Sequence, residues 1–425
     1  MNTSEFVLYR NLEDQDLLDS MAELFEGGEN GVLDSYACAN RLLELSDRYG
    51  FEGNLWHCFL AYCLATHENA YSRACEITGP VQGTINYLAA HDFVLMKELF
   101  DKDITGLPGG IWNHLAEFHV AEDSGKAFNR RIQKRIVTLA KDLEAAYSIE
   151  EFQALVTAFY KEFGVGRFGL NKAFRIEERD LDGGRRGAFI QPITRIEHVY
   201  LDDLVGYELQ KEKLIANTEA FIEGREANNV LLYGDAGTGK SSSVKAILNQ
   251  YYDKGLRIIE VYKHQFCCLS DVLEEIKDRN YKFIIYMDDL SFEDFETEYK
   301  YLKAIIEGGL GKKPANVLIY ATSNRRHLIR EKFSDKKEIL DDLHGNDTVQ
   351  EKLSLVSRFG VTIYFGAPDK FQFQKIVKVL ADRFHIQMTE EELYGEANKW
   401  ELYHGGLSGR TAAQFITHLL GKKEL

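Results

Sequence analysis

A chain of 425 residues with 45% hydrophobic and 28% charged residues and five prolines is long enough for two or three compact units, and it excludes a disordered or low-complexity polymer. The net charge of -16 is concentrated in residues 1–150, which hold 24 acidic against 12 basic side chains, while the remainder holds 43 against 39; an acidic leading half repels phosphate backbones and favours a protein-facing or merely solvated surface over a nucleic-acid one. No run of about eighteen apolar residues could span a bilayer, the first ten residues lack a basic-then-apolar signal pattern, and the six cysteines form no Cys-x-x-Cys framework, so a cytoplasmic location is expected.

From Leu17 to about Phe163 apolar residues recur at three- and four-residue spacing, as in Leu42, Leu43 and Leu45 and in Ile132, Ile136, Leu139 and Leu143. An acidic α-helical N-terminal domain over 1–165 follows, broken by turns at Gly27-Gly28, Gly79-Pro80 and Leu107 to Gly110. His57, Cys58, Cys63 and His67 lie close in sequence, but without a compact third ligand they read as packed cysteines and ordinary polar histidines rather than a metal site. Residues 166–200 read as a Gly/Arg-rich connector, with Gly183-Gly184-Arg185-Arg186-Gly187, short alternating segments around Ala188 to Ile196, and seven bases against four acids from Arg167 to Arg195.

After Tyr200 strand-like and helix-like stretches alternate, which is the pattern of an α/β parallel-sheet domain over 201–366. Strands are expected at Val230–Tyr233, Arg257–Tyr262, Phe283–Asp288, Val317–Thr322 and Val361–Phe365. Residues 367–425 read as a helical lid, with Phe371 and Phe373 in its core.

The strand Val230–Tyr233 runs into Gly234-Asp235-Ala236-Gly237-Thr238-Gly239-Lys240-Ser241, with Ser242 continuing into a helix. This is the full G-x-x-x-x-G-K-S pattern of a P-loop in its strand–loop–helix context. Its glycines let successive N–H groups and the helix N-terminus face phosphates, Lys240 supplies charge to the β- and γ-phosphates of ATP, and the Ser241 hydroxyl is a ligand for Mg2+. Some fifty residues on, a buried-strand pattern ends in Asp288-Asp289, carboxylates at the sheet edge where ligands bind. Asp288 is the expected magnesium partner, and Asp289 the group that orients an attacking water. Glu293 is a second candidate for that role, or a helix-start residue.

These motifs resemble the AAA+ ATPases, and the likeness continues in order over roughly residues 190–425. Leu201 to Gly206, with Val205 and Gly206, resembles the superfamily's segment that lines the adenine pocket. Ala321-Thr322-Ser323-Asn324 resembles sensor 1, which implies that Asn324 helps position water. Ser354 to Gly360 resembles the arginine-finger box, which implies that Arg358 reaches the γ-phosphate of a neighbouring subunit and that the protein is a homo-oligomer. Gly406-Leu407-Ser408-Gly409-Arg410 resembles sensor 2, which implies that Arg410 contacts the γ-phosphate of its own subunit. The runs Leu201 to Lys245 and Asn316 to Leu328 are similar to an uncharacterised bacterial AAA+ family, a domain of unknown function. The resemblance departs at Asp289, where the superfamily usually has Glu.

Arg325, Arg326 and His327 follow the sensor-like strand and are candidates to contact phosphate, nucleic acid or a neighbouring subunit, the subunit interface being favoured. Cys267-Cys268 lies beside no basic or histidine constellation except His264 and is not read as a catalytic thiol. The expected function is an ATPase that hydrolyses ATP with Mg2+ at subunit interfaces to remodel or load a macromolecular partner, a protein client reached through the N-terminal domain, with nucleic acid the partner that the charge distribution supports only weakly. The alternative is a slowly hydrolysing ATP-dependent switch or scaffold, favoured by Asp289.

Overall fold

The computed structural model describes residues 3–27, 31–120, 129–181, 185–194, 196–293, 298–307, 313–326, 328 and 355–422. The chain divides into two compact units, Met1–Asn171 and Lys172–Leu425. No helix among the described residues is long and apolar enough to cross a membrane.

The first unit is helical and is built round the helix Leu55–Thr66, which is apolar on all sides and is buried from Leu55 to Ala65. A helix with no polar stripe has nowhere to lie but inside. The Asn54 side chain caps it by accepting from the N–H groups of Trp56 and His57. The helix Arg130–Ala145 packs against it through Ile132, Ile136, Leu139 and Leu143, the spacing of one helical face. Leu42 and Leu45 are likewise buried, but Leu43 is 37% exposed. The wholly buried Asp92 carboxylate accepts from the N–H groups of Val7 (3.0 Å), Leu8 (2.6 Å) and Tyr9 (3.0 Å), tying the start of the chain to this core. His57 Nε2 donates to Phe100 O (2.9 Å) and His67 Nε2 to Leu8 O (3.0 Å), while Cys58 Sγ donates to Glu52 O. Both histidines are thus committed to backbone carbonyls.

The second unit holds a seven-stranded sheet: β1 (Ala173–Leu181), β2 (Arg185–Pro192), β3 (Val230–Gly234), β4 (Leu256–Glu260), β5 (Lys282–Met287), β6 (Val317–Ser323) and β7 (Val361–Phe365), in the order β2-β1-β4-β5-β6-β3-β7. All pairings are parallel except β1 with β2. The five expected strands are present to within a residue or two at each end. Much of the segment read as a connector over 166–200 is instead the antiparallel pair β1 and β2, whose first strand extends the sheet by pairing Ala173, Phe174 and Arg175 with Ile258, Ile259 and Glu260. An edge hairpin buries only part of its length, here Phe174, Ile176 and Ile190, so its polar and glycine content resembles that of a linker.

Three helices, Lys370–Arg383, Glu390–Tyr403 and Gly409–Gly421, close a separate small core of Phe373, Ile376, Val377, Leu393, Phe415 and Ile416. Their starts carry side-chain caps from Asp369, Thr389 and Ser408. Phe371, expected in the lid core beside Phe373, is 86% exposed. Residues two apart on a helix point to different faces, so only one of the pair can turn inward.

Candidate nucleotide site

The strand β3 lies between β6 and β7 with Val230, Leu231 and Leu232 fully buried, and it delivers Gly234 to the C-terminal edge of the sheet. Gly234 adopts φ +132°, and a Cβ there would fall 2.1 Å from Phe365 O, so the loop can start this close to β7 only on glycine. Asp235 N donates to Phe365 O (3.0 Å), and Asp235 Oδ2 accepts from Ala367 N (2.7 Å), which ties the loop to the end of β7. Gly237 and Gly239 follow with φ +75° and +92°, and the helix Lys240–Tyr251 begins at once.

Lys240 is 6% exposed, and its Nζ donates to Gly234 O (2.9 Å), Asp235 O (2.6 Å) and Asn324 Oδ1 (3.1 Å). Burial pushes its pKa down, against the opposing pull of Asp235, Asp289 and Asp288. Asn324 in turn donates through Nδ2 to Asp289 Oδ1 (2.7 Å). The lysine, the strand-end asparagine and the second aspartate are therefore one connected chain.

Asp288 Oδ1 accepts three hydroxyl hydrogen bonds, from Ser241 Oγ (2.7 Å), Thr322 Oγ1 (2.5 Å) and Tyr286 OH (2.7 Å). Burial raises its pKa, but these donors and the N–H of Asp289 outweigh burial and hold the carboxyl below the usual carboxylate range. The sheet explains the convergence. Met287 pairs with Ala321, so the next step of the parallel register sets Asp288 beside Thr322, and Tyr286 lies on the same strand face as Asp288 at i, i+2. Asp289 has φ +50°, a left-handed conformation rare outside glycine, and its N–H donates to Thr322 Oγ1 (2.9 Å).

Lys240, Ser241, Asp288, Asp289, Thr322 and Asn324 line a cavity of about 750 Å³ that is closed on its other sides by Leu204, Val205 and Tyr207 and by Ile376, Leu380 and Ala413 of the C-terminal helices. Tyr207, itself left-handed at φ +60°, is held by a hydrogen bond from its hydroxyl to Gly366 O (2.8 Å). Arg410 lines the same cavity, and its N–H donates to Gly237 O (3.2 Å), so lid and phosphate loop are in direct contact. The volume suits a nucleotide-sized ligand.

The family model described as "Protein of unknown function (DUF815)" matches residues 171–423, more than half of the chain. The chain belongs to this family. The expected likeness to a domain-of-unknown-function family is met by that match, and the matched span begins at the boundary of the second unit. No curated protein is significantly similar. Among solved structures, the Thermotoga maritima RuvB Holliday junction branch migration motor is 17% identical at a TM-score of 0.36, over 51% of this chain and 63% of that one. PCH-2 of C. elegans is 16% identical at 0.37, over 53% and 65%. The chain thus spans less than two thirds of either, and likeness at that level transfers no activity or partner to it.

In this DUF815 member the structure brings together Gly234 to Ser242, Asp288, Asp289, Asn324 and Arg410, with Val205 at the wall and Gly206, at φ +81°, beside it. It does not bring in Arg358. That residue precedes β7, at the opposite strand ends from the phosphate loop, and is not among the residues lining the cavity. Glu293 also lies outside the lining and ahead of the helix Glu298–Glu307. Arg325 and Arg326 are exposed, while His327 and Ser354 fall outside the described residues. Sequence reading assigned no role to Thr322, Tyr286 or Tyr207, nor to the lid residues Ile376 and Leu380. The i, i+2 spacing puts Tyr286 on the face of Asp288, whereas nothing along the chain marks Thr322, whose place depends on the register of β5 on β6.

Proposed function

We propose that this chain is a AAA+-type ATPase that binds ATP with Mg2+ in this cavity, hydrolyses it with help from a neighbouring copy, and couples turnover to remodelling or loading of a protein partner. The observation that carries the reading is the convergence of a complete P-loop with Asp288 and the Lys240–Asn324–Asp289 chain at one sheet edge. The donor set suits a hard divalent cation, because Ser241 Oγ and Asp288 are oxygen donors already in contact and the carboxyl is kept ionised. When bound, Mg2+ would neutralise charge on the phosphate oxygens.

Lys240 and the loop N–H groups would hold the β- and γ-phosphates, and Ser241 with Asp288 would hold the metal. Asp289, aimed by its left-handed backbone and by Asn324, orients the attacking water. Arg410 senses the γ-phosphate from the lid, and Arg358, which precedes β7 and does not line its own cavity, serves the site of a neighbouring subunit. The six cysteines, all free thiols, agree with a cytoplasmic setting. Asp289 supports a second reading, a slow switch, because its carboxylate is short and already engaged by Asn324 at 2.7 Å.

Steady-state phosphate release from Mg2+ and ATP across a protein concentration series, with Lys240→Ala as the blank, tests the proposal. Turnover per chain that rises with concentration and vanishes in the blank is expected. Tight ATP binding without turnover would leave the switch, and no ATP binding would sink both.

A further inference from the structure

The turn Lys263–Cys268 carries two neighbouring thiols that the proposed reaction does not use. Cys267 is exposed, Cys268 is 8% exposed, and their sulfurs lie 3.6 Å apart. Side-chain rotation with a small backbone shift separates them from the bonding distance of about 2.05 Å. The same turn reaches the two carboxylates. Lys263 Nζ donates to Ser291 O (3.3 Å), the Phe266 ring lies 6.2 Å from that of Phe292, and Lys263 and Phe266 share with Asp288 and Asp289 a small cavity of about 100 Å³. Gln265 between them is buried and fixed, its Nε2 donating to Ile176 O (3.0 Å) and its Oε1 accepting from Tyr262 N (3.0 Å). A turn pinned at Gln265 transmits a change at its last two residues to its packed side chains rather than absorbing it in solvent.

We propose that Cys267 and Cys268 form a reversible thiol switch, closed to a vicinal disulfide by exchange with a small-molecule disulfide, and that closure slows the neighbouring site by displacing Lys263 and Phe266. The Cys267 thiolate attacks one sulfur of the small disulfide, forming a mixed disulfide and expelling a thiolate that takes up a proton. Cys268 then gives its proton to water and attacks Cys267 Sγ, forming the protein S–S bond and expelling the second small thiol. Two protein thiols are oxidised, and one small disulfide is reduced to two thiols. Burial, followed by the neighbouring Cys267, pushes the Cys268 thiol up to about 11, which makes the exposed Cys267 the entry point and Cys268 the resolving group. Adjacent Cα atoms are held about 3.8 Å apart, below the roughly 4.4–6.8 Å usual for a disulfide. The closed ring is therefore strained and readily reduced, which suits a switch rather than a staple.

The effect on turnover rests on the ATPase reading, whereas ring closure does not. Reduced full-length protein is treated with oxidised glutathione at mildly alkaline pH and followed by intact mass, peptide mapping, phosphate release and affinity for a fluorescent ATP analogue. The wild type is expected to lose two hydrogens and keep no glutathione, with a Cys267–Cys268 disulfide peptide. Cys268→Ser is expected to stop at the glutathione adduct. Phosphate release should fall about tenfold, as an ångström-scale displacement near a reacting centre can cause, and recover on reduction. A stable adduct on wild-type Cys267, or no reaction at either thiol, overturns the switch. A closed ring that leaves both phosphate release and analogue affinity unchanged overturns the coupling. A reduced protein that binds the analogue but releases no phosphate sinks the ATPase reading alone, and the coupling is then judged by an affinity shift on closure.

Discussion

Three hydroxyls donating to one oxygen of Asp288 are an unusual concentration of donors, and the central one is Thr322, which also accepts from the N–H of Asp289. A hydrogen bond to a charged group contributes about 1.5–3 kcal/mol, so Thr322→Val should lower phosphate release roughly 10- to 100-fold and raise the Mg2+ concentration needed for half-maximal rate. Thr322→Ser should restore most of the loss. A valine variant with unchanged magnesium dependence would show that Thr322 is only packing. Asp289→Asn separates the two functional readings: turnover should vanish with ATP still bound if Asp289 orients water, and should barely change if the protein is a switch. Single-turnover and binding measurements on the same preparation decide between them.

At the scale of elements, the phosphate loop is wedged between the end of β7 and the start of the last lid helix. A Cβ on Gly237 would sit 3.0 Å from both Arg410 Cβ and Ser408 Oγ at a φ of +75°. Gly237→Ala should therefore weaken ATP-analogue binding about tenfold or more, since left-handed strain and a displaced lid each cost on the order of 1 kcal/mol; calorimetry would measure it. In the helical unit, burial holds the imidazoles of His57 and His67 below their ordinary pKa of 6.5. The folded state thus binds these protons less readily than the unfolded chain, and their cost appears only as pH falls below about 6.5. Thermal melts should drop between neutral pH and mildly acidic pH by more in the wild type than in a variant with His67 replaced by Gln. Equal drops would remove the histidine explanation. The elements themselves were largely legible: the 3.6-residue rhythm of Ile132, Ile136, Leu139 and Leu143 and the apolar strand Val230–Leu232 are local signals that need no partner. The hairpin β1–β2 was not, because Arg185 to Gly187 owe their strand state to pairing with β1, and β1 joins the sheet only by pairing Ala173 to Arg175 with β4, eighty-five residues ahead.

For the whole molecule, the proposal requires a second copy, since Arg358 lies at the opposite strand ends from the cavity of its own chain. Arg358→Ala should lower phosphate release by about 10³, the usual worth of an arginine finger, while ATP binding to single chains is retained. Mixing this variant with Lys240→Ala chains should recover activity if each supplies what the other lacks. Failure to recover, with both variants folded and assembled, would place the function of Arg358 within its own subunit.

The sequence alone determined the P-loop, the strand that carries it, the aspartate pair and the helical character of both ends, because each is written in adjacent residues whose spacing follows from one element's geometry. It could place Asn324 and Arg410 by resemblance but could not say what they touch. Only the tertiary structure decided that Asn324 bridges Lys240 and Asp289, that Thr322 and Tyr286 clamp Asp288, and that the arginine-rich connector is sheet. Those facts depend on strand register and on contacts between residues up to eighty-five positions apart, and spacing along the chain carries no record of which strands become neighbours.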